Sequence, residues 1–257
     1  MYKRQPYDRT FTGSLDGAYY TVTLALHVTA EDTAASWGVF RALNGAAIRD
    51  LRLAGELAAA EDSPAKNVGA LAGTVSGDTT VSGCRSEVQI SVSSADSHVG
   101  GLAGSVTGGT LALTGCGNVG AVKALNSAAS GGLLGSVLSG SVTILRSYQS
   151  GDVLGGVCAG GLVGQLAEQA ECTASYSYAA VSADDKENAD ASALTGWGEV
   201  KTVSGEKAGA LCGQGTFSAE SKALFWSGKA FGTDAVPAGG QFEEMDTTVS
   251  YTHLRAH

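Results

Sequence analysis

The chain has 257 residues and a formal net charge of −9, with 44% hydrophobic, 7% aromatic and 16% charged residues. An acidic chain without basic clusters argues against nucleic acid or an anionic membrane as the main partner. No uninterrupted run of 18 apolar residues occurs, so no transmembrane helix is predicted. The 37 glycines and 3 prolines, among many small aliphatic residues, are typical of tightly wound β-structure with many turns.

The two ends resemble translated adapter sequence and not parts of the fold. Residues 1–5 read MYKRQ, and residues 249–257 read VSYTHLRAH. Segments of this kind recur at the ends of unrelated reading frames in metagenomic assemblies. We therefore interpret both as artefacts, exclude them from the fold, and expect the chain to be a fragment of a longer protein.

An eight-residue segment repeats along the chain. VGALAGTV (68–75) returns as VGGLAGSV (99–106), SGGLLGSV (130–137) and AGGLVGQL (159–166), with weaker copies at 37–43 and 208–215. The first glycines of the copies are residues 38, 69, 100, 131, 160 and 209, which gives intervals of 31, 31, 31, 29 and 49. Self-similarity at a fixed period indicates a stacked repeat architecture.

Short runs of alternating apolar and polar residues fill each period. A second run follows the repeated segment, at 48–53, 81–84, 111–116, 142–147 and 172–175, and a third includes Val88, Ile90 and Val92. Such alternation predicts strands, and no helical periodicity is sustained over the length of an ordinary helix. These runs predict an all-β fold, a parallel β-solenoid of about six coils of roughly 31 residues, with a right-handed coil favoured.

Stacked coils place equivalent residues about 4.8 Å apart, directly above one another. This predicts an inward column with Phe40 below five leucines: Leu71, Leu102, Leu133, Leu162 and Leu211. A second inward column contains Val75, Val106, Val137 and Leu166. Glycines mark a point where the backbone bends or approaches its neighbour too closely for a Cβ atom, namely Gly73, Gly104, Gly135, Gly164 and Gly213.

The long interval predicts an insertion. It exceeds the regular interval (49 − 31 = 18), and the extra sequence lies within 182–207, which is charged and poor in apolar residues. Because the coils on either side must stay in register, this segment is predicted to leave the coil as a loop. The predicted organisation is an N-terminal capping coil (6–36), regular coils (37–181), the inserted loop (182–207), and a last coil with a C-terminal cap (208–248).

The repeated Gly-Gly-Leu-Val-Gly core resembles the GLUG motif of bacterial surface proteins. FTGSLDG (11–17) followed by YTVT (20–23) resembles the opening of such arrays, and NGAAIRDL (44–51) resembles their first coil. The resemblance covers residues 7–247 and weakens after Gly215. It implies a solenoid that serves as a non-catalytic adhesion or stalk module, secreted or at the cell surface. The alternative that it implies is an accessory region of a large secreted enzyme, such as a surface protease, whose catalytic domain lies elsewhere.

No pattern of catalytic or cofactor-binding residues is found. The sequence has no His-Glu-x-x-His motif, no phosphate-binding loop and no Gly-x-Ser-x-Gly elbow. Asp78, Asp96 and Asp152 fall in turns, where aspartate is a common turn former. We therefore predict a protein that is not an enzyme and holds no cofactor or metal ion. A metal-binding or polysaccharide-cleaving solenoid is the third alternative.

Aromatic side chains are the candidate partner-binding residues. The outward positions after the second run are Arg85, Gly117, Tyr148 and Tyr176, with Tyr178 nearby. Exposed tyrosines suit contacts with a host protein or a glycan, whereas a ladder of stacked rings that stabilises the face is the alternative. Trp197 lies in the predicted loop. In one interpretation it contacts a partner, together with Tyr148, Tyr176 and Tyr178, and in the other it packs back against the coil. We expect the module itself to be monomeric.

The five cysteines include no Cys-x-x-Cys pair and no metal-ligand spacing. Counted from the first glycine of their coils, Cys84 is at +15 and Cys116 at +16 (84 − 69 and 116 − 100), so they are predicted to stack. Ser147 and Ser175 continue that column. Buried free thiols are the simplest account, and the spacing of adjacent coils is also compatible with a disulfide.

Overall fold

The computed structural model describes residues 7–145 and 147–166 and, after them, the backbone of seven short strands between residues 171 and 210. Every regular element in this part of the chain is a β-strand. The strands that stack on one another pair in parallel. The predicted all-β parallel solenoid is therefore confirmed. Among the described residues, no helix is long and apolar enough to cross a membrane.

Successive coils contribute the strands in order. An incomplete first coil holds β1 (Tyr7–Phe11), β2 (Ser14–Asp16) and β3 (Thr21–Val28). The next coil holds β4 (Ser36–Trp37), β5 (Phe40–Asn44), β6 (Ala47–Arg49) and β7 (Arg52–Ala59). It is followed by β8 (Asn67–Gly69), β9 (Ala72–Ser76), β10 (Thr79–Ser82), β11 (Arg85–Ser86) and β12 (Gln89–Val92).

The coils then continue in the same order. One holds β13 (His98–Gly100), β14 (Ala103–Val106), β15 (Thr110–Thr114), β16 (Gly117–Asn118) and β17 (Val122–Ala124). The next holds β18 (Ala129–Gly131), β19 (Leu134–Val137), β20 (Ser141–Leu145), β21 (Tyr148–Gln149) and β22 (Val153–Gly155). After it come β23 (Cys158–Gly160), β24 (Val163–Leu166), β25 (Glu171–Ala174), β26 (Tyr176–Ser177) and β27 (Val181–Ala183). The last described strands are β28 (Asp190–Ser192), β29 (Thr195–Trp197), β30 (Thr202–Val203) and β31 (Gly209–Ala210).

Each coil has four faces, and each face is a parallel sheet that runs along the solenoid. The first face has the order β1-β5-β9-β14-β19-β24-β29, and the second has the order β2-β6-β10-β15-β20-β25-β30. On the third face, β11 and β12 both pair with the long strand β7, so two rows of short strands extend from its two halves. The fourth face has the order β4-β8-β13-β18-β23-β28.

The repeated segment forms two strands where the sequence predicts one. VGGLAGSV, for example, is divided between β13 on the fourth face and β14 on the first, with Gly101 and Leu102 at the bend. A Cβ atom on Gly101 would lie within 3 Å of the carbonyl oxygen of Gly132 and of the side chain of Asn118. Glycine therefore permits a tight bend against the next coil, and Leu102 is buried at that bend.

The predicted inward columns are confirmed, with two exceptions. The leucines at the bends are at most 2% exposed: Leu71, Leu102, Leu133 and Leu162. Val75, Val106, Val137 and Leu166 pair directly in successive coils and are buried. Phe40 is buried but pairs with Ala72, because one residue separates it from Gly38, whereas two separate Ala72 from Gly69. Leu211 lies outside the described residues.

The glycine column is confirmed as a place of close backbone approach. A Cβ atom at any of four of its members would come within 3 Å of another coil: Gly73, Gly104, Gly135 and Gly164. For Gly135 the obstructing atoms all belong to the backbone, at His98, Val99 and Gly104. The fourth and first faces therefore meet at a separation that only glycine allows. Gly213 lies outside the described residues.

The described strands correct the predicted loop at 182–207. β28 pairs with β23, with Ser192 opposite Gly160, and β29 pairs with β24, with Trp197 opposite Gln165. These two strands therefore continue the fourth and first faces at close to the regular interval (192 − 160 = 32). Gly209, the first glycine of the predicted last coil (208–248), instead pairs with Tyr176. The series of first glycines does not include the copy at 191–197, because Ser192 stands where earlier copies have glycine.

Candidate functional site

Five residues form a row at the corner where the second face turns into the third. Strand pairing aligns Thr21, Arg52, Arg85, Gly117 and Tyr148 in consecutive coils. Four steps of about 4.8 Å give this row a length of roughly 19 Å along the solenoid. Two tyrosines directly precede Thr21. We call the following residues the corner stripe: Tyr19, Tyr20, Arg52, Arg85 and Tyr148.

A tight turn presents the first two tyrosines of the stripe. The Tyr20 amide donates a hydrogen bond of 2.7 Å to the Gly17 carbonyl, and Ala18 and Tyr19 have φ angles of 45° and 60°. Left-handed backbone at two successive non-glycine residues costs about 1–2 kcal/mol per residue. The turn leaves the Tyr19 and Tyr20 side chains in solvent, since these residues are 61% and 77% exposed.

Asp16, which directly precedes Gly17, stabilises this turn through its carboxylate. Its Oδ1 atom accepts a hydrogen bond of 2.9 Å from the Ala18 amide, and Oδ2 lies 2.6 Å from Nη2 of Arg49 in the next coil. The hydrogen bond from the Ala18 amide, together with the Arg49 guanidinium, lowers the pKa of Asp16. The carboxylate therefore stays charged and keeps the turn tied to the coil beside it.

The two arginines of the stripe differ in their partners. The guanidinium carbon of Arg52 lies 5.9 Å from the centroid of the Tyr19 ring, within the range of a cation–π interaction. Among the described residues, Arg52 makes no ion pair with a carboxylate. Arg85 pairs with Glu87, with 3.0 Å between Nε and Oε1. The guanidinium of Arg52 is therefore the one in this row that is not neutralised by a neighbouring acid.

Tyr148 closes the other end of the stripe. Its ring covers Gly117, where an added Cβ atom would lie within 3 Å of two ring carbons and the phenol oxygen. Gly117 is buried and Tyr148 is half-buried for this reason. The ring therefore leans towards the coil that holds Arg85. Tyr148 packs on Gly117 while part of its side chain stays in solvent. The predicted ladder of stacked rings stays a prediction, because the side chain of Tyr176 lies outside the described residues.

The remaining predicted partner-binding residues are placed differently. Tyr176 lies in β26, next to β21, so its backbone continues the corner. Tyr178 and the side chains of Tyr176 and Trp197 lie outside the described residues. The backbone of Trp197 belongs to the first face. The backbone of Trp197 is therefore on a different face from Tyr148, and the predicted partner contact around Trp197 stays a prediction, because it depends on side chains outside the described residues.

Sequence reasoning missed three members of the stripe: Tyr19, Tyr20 and Arg52. The signal was available in the spacing, because Arg52 and Arg85 are separated by close to one period (85 − 52 = 33). The two adjacent tyrosines also stand out in a chain with 7% aromatic residues. Tyr19 and Tyr20 fall within the predicted N-terminal capping coil (6–36), for which the sequence predicts no binding residues.

A second set of polar side chains lies between the first and fourth faces. The Ser105 hydroxyl donates a hydrogen bond to Oδ1 of Asn67, and Nδ2 of Asn67 donates one of 3.4 Å to Ser36. His98 follows Asn67 in the next coil, as Ser136 follows Ser105. Nδ1 of His98 and the Ser136 hydroxyl are both buried without a hydrogen-bond partner. A neutral imidazole suits this site better than an imidazolium, because burial penalises the charge.

This environment predicts that acid destabilises the protein through His98. Burial lowers the pKa of His98, and Lys66 acts in the same direction, while Asp96 opposes both. Below pH 6.5, the ordinary pKa of histidine, the unfolded chain takes up a proton that the folded chain resists, so the free energy of unfolding falls as the pH falls. Between pH 8 and pH 5, the urea midpoint of the wild type should drop further than that of His98→Gln. Equal drops in the two proteins would contradict this assignment.

In the part of the chain whose side chains are described, no group of three or more His, Cys, Asp or Glu residues is arranged to hold a metal ion. The corner stripe offers ring faces for stacking, phenol groups that donate and accept hydrogen bonds, and one guanidinium without an acidic partner. These groups suit binding. In comparisons with known proteins, no family model, no curated protein and no solved structure matches this chain.

Proposed function

We propose that the chain is a non-catalytic repeat module of a bacterial surface or secreted protein, and that its corner stripe contacts a glycan or a protein. The observation that carries the proposal is the alignment of exposed tyrosine and arginine side chains along one corner of the solenoid. Tyrosine and arginine are among the residues that most often dominate binding energy at interfaces. The resemblance of the repeated segment to the GLUG motif supports the surface location.

The shape of the molecule supports an extended contact. A stack of coils presents side chains at a regular pitch, and repeat proteins use such long surfaces for binding. Along the stripe the pitch is about 4.8 Å, so a chain-like partner would meet side chains at multiples of this spacing. The strained turn at Ala18 and Tyr19 adds to this argument, because strained backbone concentrates at functional sites.

The proposal predicts a loss of binding when the exposed end of the stripe is removed. The triple variant Tyr19→Ser, Tyr20→Ser and Arg52→Ser should bind at least about tenfold more weakly, since tyrosine and arginine are enriched among the few interface residues whose truncation costs about 2 kcal/mol or more. Binding is measured first by screening the wild type on a glycan array and a panel of extracellular-matrix proteins. The affinity for the best ligand is then compared between proteins.

The matched control removes exposed apolar side chains from the far end of the third face. Leu125 and Val157 are 47% and 41% exposed, and Leu125→Ser with Val157→Ser should leave the affinity unchanged. Circular dichroism checks that both variants keep the strand content of the wild type. Equal affinity in the triple variant and the wild type would overturn the role of the stripe. A wild type that binds nothing on either panel would overturn the binding role itself.

A further inference from the structure

Two cysteines meet at the corner of consecutive coils, inside the solenoid. The Gly117 amide donates a hydrogen bond of 3.0 Å to the carbonyl of Cys84, and Arg85 pairs with Gly117. Cys84 and Cys116 therefore stand opposite each other, as the sequence predicts. Both are buried, at 1% and 0% exposure, and both are free thiols in the structure.

The two thiols lie side by side. Sγ of Cys84 donates a hydrogen bond of 3.4 Å to the Ser82 carbonyl, and Sγ of Cys116 donates one of 3.4 Å to the Val81 carbonyl, which belongs to the coil of Cys84. The neighbours of this pair in the column are Leu51 on one side and Ser147 on the other, and Ser175, which is predicted to continue the column, lies outside the described residues. Among the residues with described side chains, this is the one place where two cysteines are neighbours in adjacent coils.

The geometry of stacked coils matches that of a disulfide. Consecutive coils place equivalent Cα atoms about 4.8 Å apart, and disulfides join Cα atoms separated by about 4.4–6.8 Å. A bond between Cys84 and Cys116 therefore needs side-chain rotation and no separation of the coils. Cys158 differs, because its strand partners are Ala129 and Asp190.

We propose that Cys84 and Cys116 are a cross-linking site, where a disulfide joins two consecutive coils when the protein meets an oxidising disulfide such as oxidised glutathione. The Cys84 thiolate attacks the small disulfide, forms a mixed disulfide and releases one small thiol. Cys116 then loses its proton and attacks the Cys84 sulfur, which forms the protein disulfide and releases the second small thiol. Two protein thiols are oxidised, and one small disulfide is reduced to two thiols.

The contact between the thiols shifts their pKa values in opposite directions. Contact with Cys116 lowers the pKa of Cys84, whereas contact with Cys84 and burial raise the pKa of Cys116 well above its ordinary value. This favours Cys84 for the first attack, because the thiolate is the reactive form, and the same disulfide forms if Cys116 attacks first. Burial of both sulfurs means that exchange takes place before the coils close during folding, or when this corner opens.

The cross-link would stabilise the solenoid against separation of the two coils that hold Cys84 and Cys116. It closes a loop of one full coil, from Cys84 to Cys116, and removing that loop's freedom from the unfolded chain raises stability. By the usual scaling, the melting temperature should rise by roughly 5–15 °C. Such a bond persists in oxidising environments outside the cell. The inference is independent of the corner stripe, because it concerns side chains inside the coil.

The experiment refolds the full chain in oxidised glutathione and maps the disulfides after alkylation of free thiols. We expect a linked peptide containing Cys84 and Cys116, alkylated Cys158, and a rise in the melting temperature that a reductant reverses. Cys84→Ser and Cys116→Ser should each lose that rise, whereas the matched variant Cys158→Ser should keep it. Circular dichroism under reducing conditions establishes that each variant is folded before the comparison.

Two results would overturn the proposal. One is the recovery of Cys84 and Cys116 as separately alkylated peptides after refolding in oxidised glutathione. The other is their recovery in bonds to Cys158, Cys172 or Cys212 and not to each other. If Cys84→Ser keeps the full reductant-sensitive rise in melting temperature, the stabilisation comes from another pair, and this site is again excluded.

Discussion

Gly135→Ala should cost more than about 3 kcal/mol of the free energy of unfolding, at the upper end of overpacking effects. The added Cβ atom would lie within 3 Å of backbone atoms of His98, Val99 and Gly104. A flexible side chain could rotate away from such a contact, but these atoms belong to strands held by hydrogen bonds on both sides. The coils would therefore have to separate locally. Urea unfolding followed by circular dichroism measures the loss.

A second glycine provides the control for backbone strain. Gly115 has a φ angle of 62°, and a Cβ atom there would lie 4.0 Å from the nearest heavy atom, the Gly83 amide nitrogen. Gly115→Ala should therefore cost only about 1 kcal/mol, the energy of a left-handed conformation in a residue with a side chain. Equal losses in Gly115→Ala and Gly135→Ala would show that lack of space does not explain the glycine column.

Leu133→Ala should lower the free energy of unfolding by about 2–5 kcal/mol. Leu133 is fully buried, between Leu102 and Leu162 of the adjacent coils in the leucine column. Removing its side chain leaves a cavity that the stack cannot close, because hydrogen bonds between the coils hold their spacing. The melting temperature and the urea midpoint should both fall.

Leu125→Ala is the matched comparison, since the same atoms are removed from a residue that is 47% exposed. Its effect should stay within about 0.5 kcal/mol, as for most surface substitutions. If Leu133→Ala were no more destabilising than Leu125→Ala, the leucine column would not be the core of the solenoid. Both proteins should keep the binding properties of the wild type at temperatures well below unfolding, because neither residue belongs to the corner stripe.

The period and the inward columns could be predicted from the sequence alone. Residues that stack in a solenoid recur at the length of one coil, so Val75, Val106 and Val137 mark both the period and the pairing that the structure has. Cys84 and Cys116 follow from the same counting, although their distances from the first glycine differ by one residue. In these coils the local alternation of apolar and polar residues predicts the strands, and the fixed spacing of the repeats predicts that the strands stack.

The four-sided coil and the corner stripe were decided by the tertiary structure. The register after residue 166 is only weakly marked in the sequence, because ASALTGW (191–197) keeps the alanine, the leucine and the last glycine of AGGLVGQ (159–165) but replaces its two adjacent glycines. Tertiary contacts also turn Asn118 inward, where its Nδ2 atom donates hydrogen bonds to the carbonyls of Gly120 and Gly132. Asparagine is usually a surface or turn residue. Repetition along the chain therefore determined the stacking, while the direction in which each corner side chain points depended on contacts with the next coil.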